Sequence, residues 1–267
     1  MKKLYIKYDP EFRFEKSVEC LHVYIPTEIG YIDHTFGHTV SDEINADMWR
    51  LSIAFMCDDD LENAVSITNS GEWDMAIRLV DRPDFIGGFA HGDERLTDVK
   101  FIVDGVEAAP TSFTDATEFE TMTVIENSIG FDPLDSKTAV FEHHKEITFS
   151  KEGVRVDQNV KWLGDYDFSH AYFAMMPPAK QYTDSFYTNI TEPQDISVPP
   201  HHELDGVTSM TVFGKESGLY FTMTVNEYDL YGKPHMSIRD NGGGPYNKMY
   251  LSLALNESVK KAADAGA

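Results

Sequence analysis

Two cysteines in 267 residues are too few for a disulfide framework, and Cys20 and Cys57 both sit in apolar, strand-like runs where a buried free thiol is the common outcome. Long apolar runs are missing as well: no stretch approaches the roughly 18 residues of a membrane-spanning helix. The opening MKKLYIKYDPEF is broken by Lys7, Asp9 and Pro10 and so lacks the apolar core of a signal peptide. The sequence therefore reads as a soluble chain without a signal peptide. Bases are scarce, 22 Lys and Arg against 45 acids for a formal charge of −23. That balance argues against a nucleic-acid backbone or an anionic membrane as a general partner. An anionic substrate would have to find a local cluster of bases or a bound cation. Linkers, low-complexity tracts and repeats are also lacking, and the length suits one large β domain, so residues 1–267 are expected to form a single domain.

What the sequence has in quantity is strand pattern. VECLHVYIP, YIDHTFGHTV, MWRLSIAFMC, WDMAIRLV, VKFIVDG, TAVFEHHKEITF, VRVDQNVKWL, HAYFAMM, MTVFG, LYFTMTVN and YNKMYLSLAL alternate or concentrate aromatic and β-branched residues, with Gly, Pro, Asp or Ser between them. Helix signals are confined to DDDLENAV after Cys57 and the tail ESVKKAADAGA. The expected fold is all-β, a single antiparallel β-sandwich or jelly roll with a concave sheet and less than about a fifth helix.

One hairpin can be written out in register. With SKEG (residues 150–153) as its turn, Phe149 faces Val154, Ile147 faces Val156, Lys145 faces Gln158, His143 faces Val160 and Phe141 faces Trp162. All ten side chains share one face. That face is apolar except at His143, Lys145 and Gln158, and burying such groups unpaired costs several kcal/mol. The polar island is therefore either paired internally or opens into a cleft. The other face, with Glu142, His144, Glu146, Arg155, Asp157, Asn159 and Lys161, reads as solvated.

Histidines interrupt two further stretches. In YIDHTFGHTV, His34 and His38 lie on one face about 13 Å apart at roughly 3.3 Å per residue, too far to share a metal on a straight strand. Structural hydrogen bonding is the better reading there. In GGFAHGDERL, Gly87, Gly88 and Gly92 allow the chain to bulge and aim His91 and Glu94 off the sheet. Three readings of this pair stand: Glu94 orients a basic His91, the two ligate a divalent metal, or the acids cap a turn.

The last strand carries Met249, Leu251, Leu253 and Leu255 on one face and Tyr246, Lys248, Tyr250 and Ser252 on the other. A Tyr-Lys-Tyr row opposite a clean apolar face suits a sugar-binding sheet, although an amphipathic surface strand would look the same. With the strand-rich pattern, this row resembles the jelly-roll polysaccharide lyases of the alginate-lyase type. The Arg-rich Glu-Leu strand and Gln-x-His strand of that family have no match here. The run GEWDMAIRLVDRPDFIGGFAHGDE is in turn similar to uncharacterised bacterial and phage-associated proteins.

The lyase resemblance implies cleavage of a uronate-containing polysaccharide or oligosaccharide by β-elimination. Such chemistry asks for a base, an acid and a group that neutralises the carboxylate. His91, Glu94, His143, Tyr172 and Tyr246 are the candidate catalytic residues. Lys145, Gln158, Lys248, Tyr250 and Arg82 are the candidate substrate-binding residues. No cofactor is expected, with a divalent cation kept as an option. Three alternatives remain: a glycoside hydrolase with two carboxylates, a non-catalytic carbohydrate-binding or phage tail-associated module, and a metal-dependent enzyme drawing on His34, His38, His91 or His144.

Overall fold

The computed structural model describes residues 2–226 and 234–259, with the side chains of 253–259 excepted. In chain order the strands begin β1 (Leu4–Asp9), β2 (Ser17–Pro26), β3 (Tyr31–Ser41), β4 (Ala46–Cys57), β5 (Val65–Ser66) and β6 (Ala76–Leu79). After a single-turn helix, α1 (Gly88–His91), come β7 (Glu94–Val103), β8 (Val106–Glu107), β9 (Thr117–Phe119), β10 (Met122–Asp132), β11 (Asp135–Ser150) and β12 (Gly153–Trp162). The remainder are β13 (Tyr166–Met176), β14 (Ser185–Thr188), β15 (Thr191–Asp195), β16 (His201–Asp205), β17 (Ser209–Phe213), β18 (Tyr220–Thr224), β19 (His235–Asp240) and β20 (Asn247–Val259). Strand makes up 61% and helix 4%, so the fold is all-β. No helix among the described residues is long and apolar enough to cross a membrane.

Among the described residues the strands form three sheets. The largest has eleven strands, with the order β12-β11-β10-β7-β4-β3-β2-β1-β9 and β5 and β8 attached at the side. Runs β1–β4 and β10–β12 are meanders, because short polar turns join strands that pair with their sequence neighbours. The two runs meet where β4 and β7 pair in parallel at Ala46–Glu94, a departure from the wholly antiparallel arrangement expected. A five-stranded sheet, β16-β19-β20-β13-β6, and a four-stranded sheet, β15-β14-β17-β18, complete the fold.

Side-chain alternation gives the five-stranded sheet one apolar face. Met249 and Leu251 of β20 pack with Ile238, Met210, Val212 and Phe186 against the four-stranded sheet. On the same face, away from Tyr172 and Tyr250, Ile77, Leu79, Phe168 and Ala171 meet Val140, Phe141 and Trp162 of the large sheet. The large sheet also closes a core of its own around Phe36, Trp49, Phe119 and Phe149.

The hairpin register is as read: Phe141 pairs with Trp162, His143 with Val160, Lys145 with Gln158, Ile147 with Val156 and Phe149 with Val154. DDDLENAV is not helical. Asp58 instead accepts hydrogen bonds from the backbones of Asp60 and Glu62 and from the Asn63 side chain, while Leu61 and Asn63 take positive φ. The short acid winds this stretch into a turn by competing with helical hydrogen bonding. Of the tail, 257–259 extend β20 and 260–267 lie outside the described residues. The side chains of Leu253 and Leu255 lie outside them too.

Candidate functional site: a cleft above a buried charge layer

Alternation along β20 turns Lys248 and Tyr250 away from the Met249 and Leu251 core, onto the face where the segment before β6 and the α1 loop pass over the sheet. The result is a cleft of about 280 Å³ walled by Glu72, Asp74, Phe85, Phe89, His91, Tyr172, Arg239, Lys248 and Tyr250. Its volume is near the lower end of the about 300–1,000 Å³ of ligand sites. One wall is aromatic: Tyr172 lies 4.7 Å from Tyr250 and 5.8 Å from Phe85, which is 4.9 Å from His91. Two cations flank it. Lys248 forms an ion pair with Glu72 at 2.8 Å, and the Arg239 guanidinium sits 5.6 Å over the Tyr250 ring while donating to Glu203 at 3.3 Å.

Glycines shape the lid. Gly92 has φ +76, and a Cβ there would stand 1.8 Å from the Ile44 carbonyl oxygen, so the chain passes closer to the turn between β3 and β4 than any side chain permits. Asp93 follows with φ 51. Together these residues reverse the chain between His91 and Glu94 and send the two side chains to different places.

Thus the His91–Glu94 pair expected from the sequence does not form. His91 lies in the cleft wall, half-buried, and its Nδ1 bonds Asp84 at 2.6 Å. Glu94 points inward and is buried, accepting from Ser128 at 2.6 Å and lying 2.8 Å from His143 Nδ1. Burial would push the Glu94 carboxyl up, but the His143 contact, with help from Lys145 and Ser128, holds it at about 2.

The island of His143, Lys145 and Gln158 also differs from its expected role as a cleft wall: it is a buried layer beneath the cleft. His143 and Lys145 are buried. Lys145 Nζ stands 3.3 Å from Glu126 of the neighbouring β10 and donates to the Trp49 carbonyl. Gln158 donates to the Phe173 carbonyl at 2.8 Å. Layer and cleft meet at Asp74. Its Oδ2 lies 4.0 Å from Nε of the fully buried Arg50, receives no hydrogen bond, and belongs to a carboxyl that lines the cleft. Burial pushes Asp74 up to about 6, against the attraction of Lys145 and Arg50.

Arg50 organises the floor. It donates to the Gly71 carbonyl at 2.9 Å and to Thr39 at 2.8 Å, pairs with Glu15 at 3.3 Å, and packs 4.6 Å under the Phe89 ring. One guanidinium thereby fixes the segment carrying Asp74 and the α1 residue that faces it.

Of the sequence candidates, His91, Tyr172, Lys248 and Tyr250 converge in the cleft. Tyr246 stands beside it, with its hydroxyl 3.4 Å from Glu72 and Lys248 over its ring. Arg82 does not belong: it makes a bidentate pair with Asp132 at 2.6–2.9 Å. Among the histidines weighed as metal ligands, His38 is held between Glu19 and Asp47 and stacks on Trp49, and His34 is buried against Trp73, where burial pushes it down to about 4. His144 bonds Asn127 on the outer face. Among the described residues no three His, Cys, Asp or Glu side chains stand together so as to hold a metal ion.

Sequence reasoning missed Glu72, Asp74, Asp84, Arg239 and the interior Glu126. GEWDMAIRLV offered no signal for the first two, because Glu72 and Asp74 alternate with Trp73 and Met75 as the polar face of an amphipathic strand does.

No family model, no curated protein and no solved structure matches the chain.

Proposed function

We propose that the chain is a carbohydrate-active enzyme, a polysaccharide lyase that cleaves a uronate-containing glycan by β-elimination. The observation that supports it most is the convergence of His91, Tyr172, Lys248 and Tyr250, read from three distant stretches, with Asp74 and Arg239 in one cleft. Arg239 and Lys248 supply the cations that neutralise a uronate carboxylate and acidify the neighbouring C–H. Asp74, raised to about 6, is ionised at neutral pH yet basic enough to accept that proton. The C–H electrons then form the double bond, the glycosidic C–O bond breaks, and a tyrosine gives its proton to the leaving oxygen. Burial pushes Tyr250 up to about 12 and raises Tyr172, so both keep that proton until it is needed. The small volume suits the end of a chain. The jelly-roll architecture of the resembling lyases belongs to the same proposal.

The test is incubation with a panel of uronate glycans. Elimination leaves a double bond conjugated to the carboxylate, read as a rise in ultraviolet absorbance. Asp74→Asn should lower the rate by about 10²–10⁴, the usual worth of a general acid–base group. Tyr250→Phe should act on the rate while keeping the ring for stacking. A second reading is favoured by Glu72 and Asp74, two carboxylates two residues apart in the same cleft, as a glycoside hydrolase requires. New reducing ends without the chromophore would select it. Binding without cleavage would leave a carbohydrate-binding module.

A further inference from the structure

The cleft wall does not end at Tyr172. Alternation along β6 puts Ile77 and Leu79 on the packed face of the five-stranded sheet, and Ala76, which packs with Tyr172 and Tyr250, on the cleft face together with Arg78. Arg78 is the cross-strand partner of His170, so the two side chains share that face. Rings connect them to the cleft. The Arg78 guanidinium sits 5.7 Å over the Phe85 ring, and the His170 ring lies 6.0 Å from Phe85 and 5.7 Å from Tyr172. Phe85, Tyr172 and Tyr250 thus run in series, spaced 5.8 Å and 4.7 Å, with Arg78 at one end and Arg239, 5.6 Å over Tyr250, at the other.

The Arg78 end differs from an ordinary solvated surface. Lys248 and Arg239 are each paired with a carboxylate, Glu72 and Glu203. Among the described residues no acid stands within ion-pair distance of the half-buried Arg78, in a chain with 45 acids to 22 bases. Packing on Phe85 accounts for the ring contact and leaves the missing counter-ion unexplained. Donors are unspent at both ends: His170 uses only Nδ1, toward Ser169 at 3.1 Å, and Arg239 Nε is buried without a hydrogen-bond partner. Burial and the Arg78 and Arg239 guanidinium groups hold the His170 imidazole below its ordinary range, with Glu203 opposing them.

We propose that Arg78 and His170 form a second oxyanion subsite, so that a glycan laid along the aromatic run meets a guanidinium at each end and the cleft selects chains carrying more than one uronate. Each planar fork suits the two oxygens of a carboxylate. The rings between offer their faces to the apolar sides of the sugars. The ligand class rests on reading the cleft as a uronate-glycan site; the subsite itself rests on Arg78 and His170.

Two titrations of the full chain test this by binding, so a lack of elimination in the absorbance assay is a separate result. Inorganic sulfate, followed by nuclear magnetic resonance of the histidine side chains, should move the His170 signals along a saturable curve, with His170→Phe identifying them. Arg78→Gln should weaken that response about tenfold, the worth of one charge-assisted hydrogen bond. Tetragalacturonate, followed by calorimetry, should bind more tightly than galacturonate, and Arg78→Gln should lower its affinity by a similar factor. The wild-type sulfate titration decides even where the variant does not fold: no saturable shift at His170 overturns the subsite. Tetragalacturonate affinity unchanged in folded Arg78→Gln overturns the ligand class, as does sulfate binding at His170 without any binding of tetragalacturonate.

Discussion

Asp74 sits where the dielectric changes, its carboxyl facing the cleft and its charge compensated from the interior, and this gives it and Glu126 a signature in stability. Asp74 rises from 3.8 to about 6 and Glu126 from 4.5 to about 7 on folding. Across that window the folded protein binds protons that the unfolded chain has released, so stability falls as pH rises. Glu94 works in the opposite sense: its depressed carboxyl stabilises the fold above 4.5, and that contribution is lost as pH falls toward about 2. At about 1.4 kcal/mol per pH unit, ionising Glu126 costs on the order of 3 kcal/mol. Urea midpoints measured across pH should therefore decline from 4.5 to about 7 in the wild type, less steeply than the two carboxyls alone would give because His34, pushed down to about 4, works in the opposite sense up to 6.5. Glu126→Gln should flatten the decline. A wild-type stability that climbs through the same window would contradict the layer as described.

At the scale of elements, the lid depends on how closely the exit of α1 passes the turn between β3 and β4. Gly88 and Gly92 both have positive φ, yet a Cβ on Gly88 meets nothing nearer than 3.9 Å, whereas one on Gly92 would lie 1.8 Å from a backbone oxygen. Gly88→Ala should cost about 1 kcal/mol of backbone strain. Gly92→Ala adds a clash that only displacement of the chain relieves, so its loss in denaturant unfolding should be clearly larger, with ligand affinity lowered by the shift of His91. Equal losses for the two would mean that the turn relaxes freely. The same turn explains what could be read in the sequence. The β11–β12 hairpin was legible residue by residue because a two-residue loop fixes register and register fixes faces. The direction of Glu94 was not, since it hangs on φ at Gly92 and Asp93. Strand β10 escaped notice because its inward row, Met122, Val124, Glu126, Ser128 and Gly130, turns polar halfway. Those inward polar residues are what make the charge layer. Asp74 was hidden in a run read as strand, which in fact begins only at Ala76.

For the whole molecule the governing quantity is a formal charge of −23. A proposed anionic glycan meets repulsion from the protein at long range and Arg239 and Lys248 only at contact, and salt separates the two because screening acts first on distance. The Debye length falls from about 30 Å at 0.01 M to about 8 Å at 0.15 M and about 3 Å at 1 M. Over the first interval the repulsive field shrinks while pairs within the cleft survive, so association with a uronate oligosaccharide should speed up. Toward 1 M the contacts themselves weaken, and affinity should pass through a maximum. A neutral oligosaccharide should show no such curve, and the thermal midpoint of the free protein should rise over the first interval as self-repulsion is screened. Stopped-flow association rates and calorimetric scans at these ionic strengths check both. If anionic binding instead weakens steadily from the lowest salt, the bases of the cleft outweigh the acids around it even at a distance, and the cleft is an open attractor for anions rather than a shielded one.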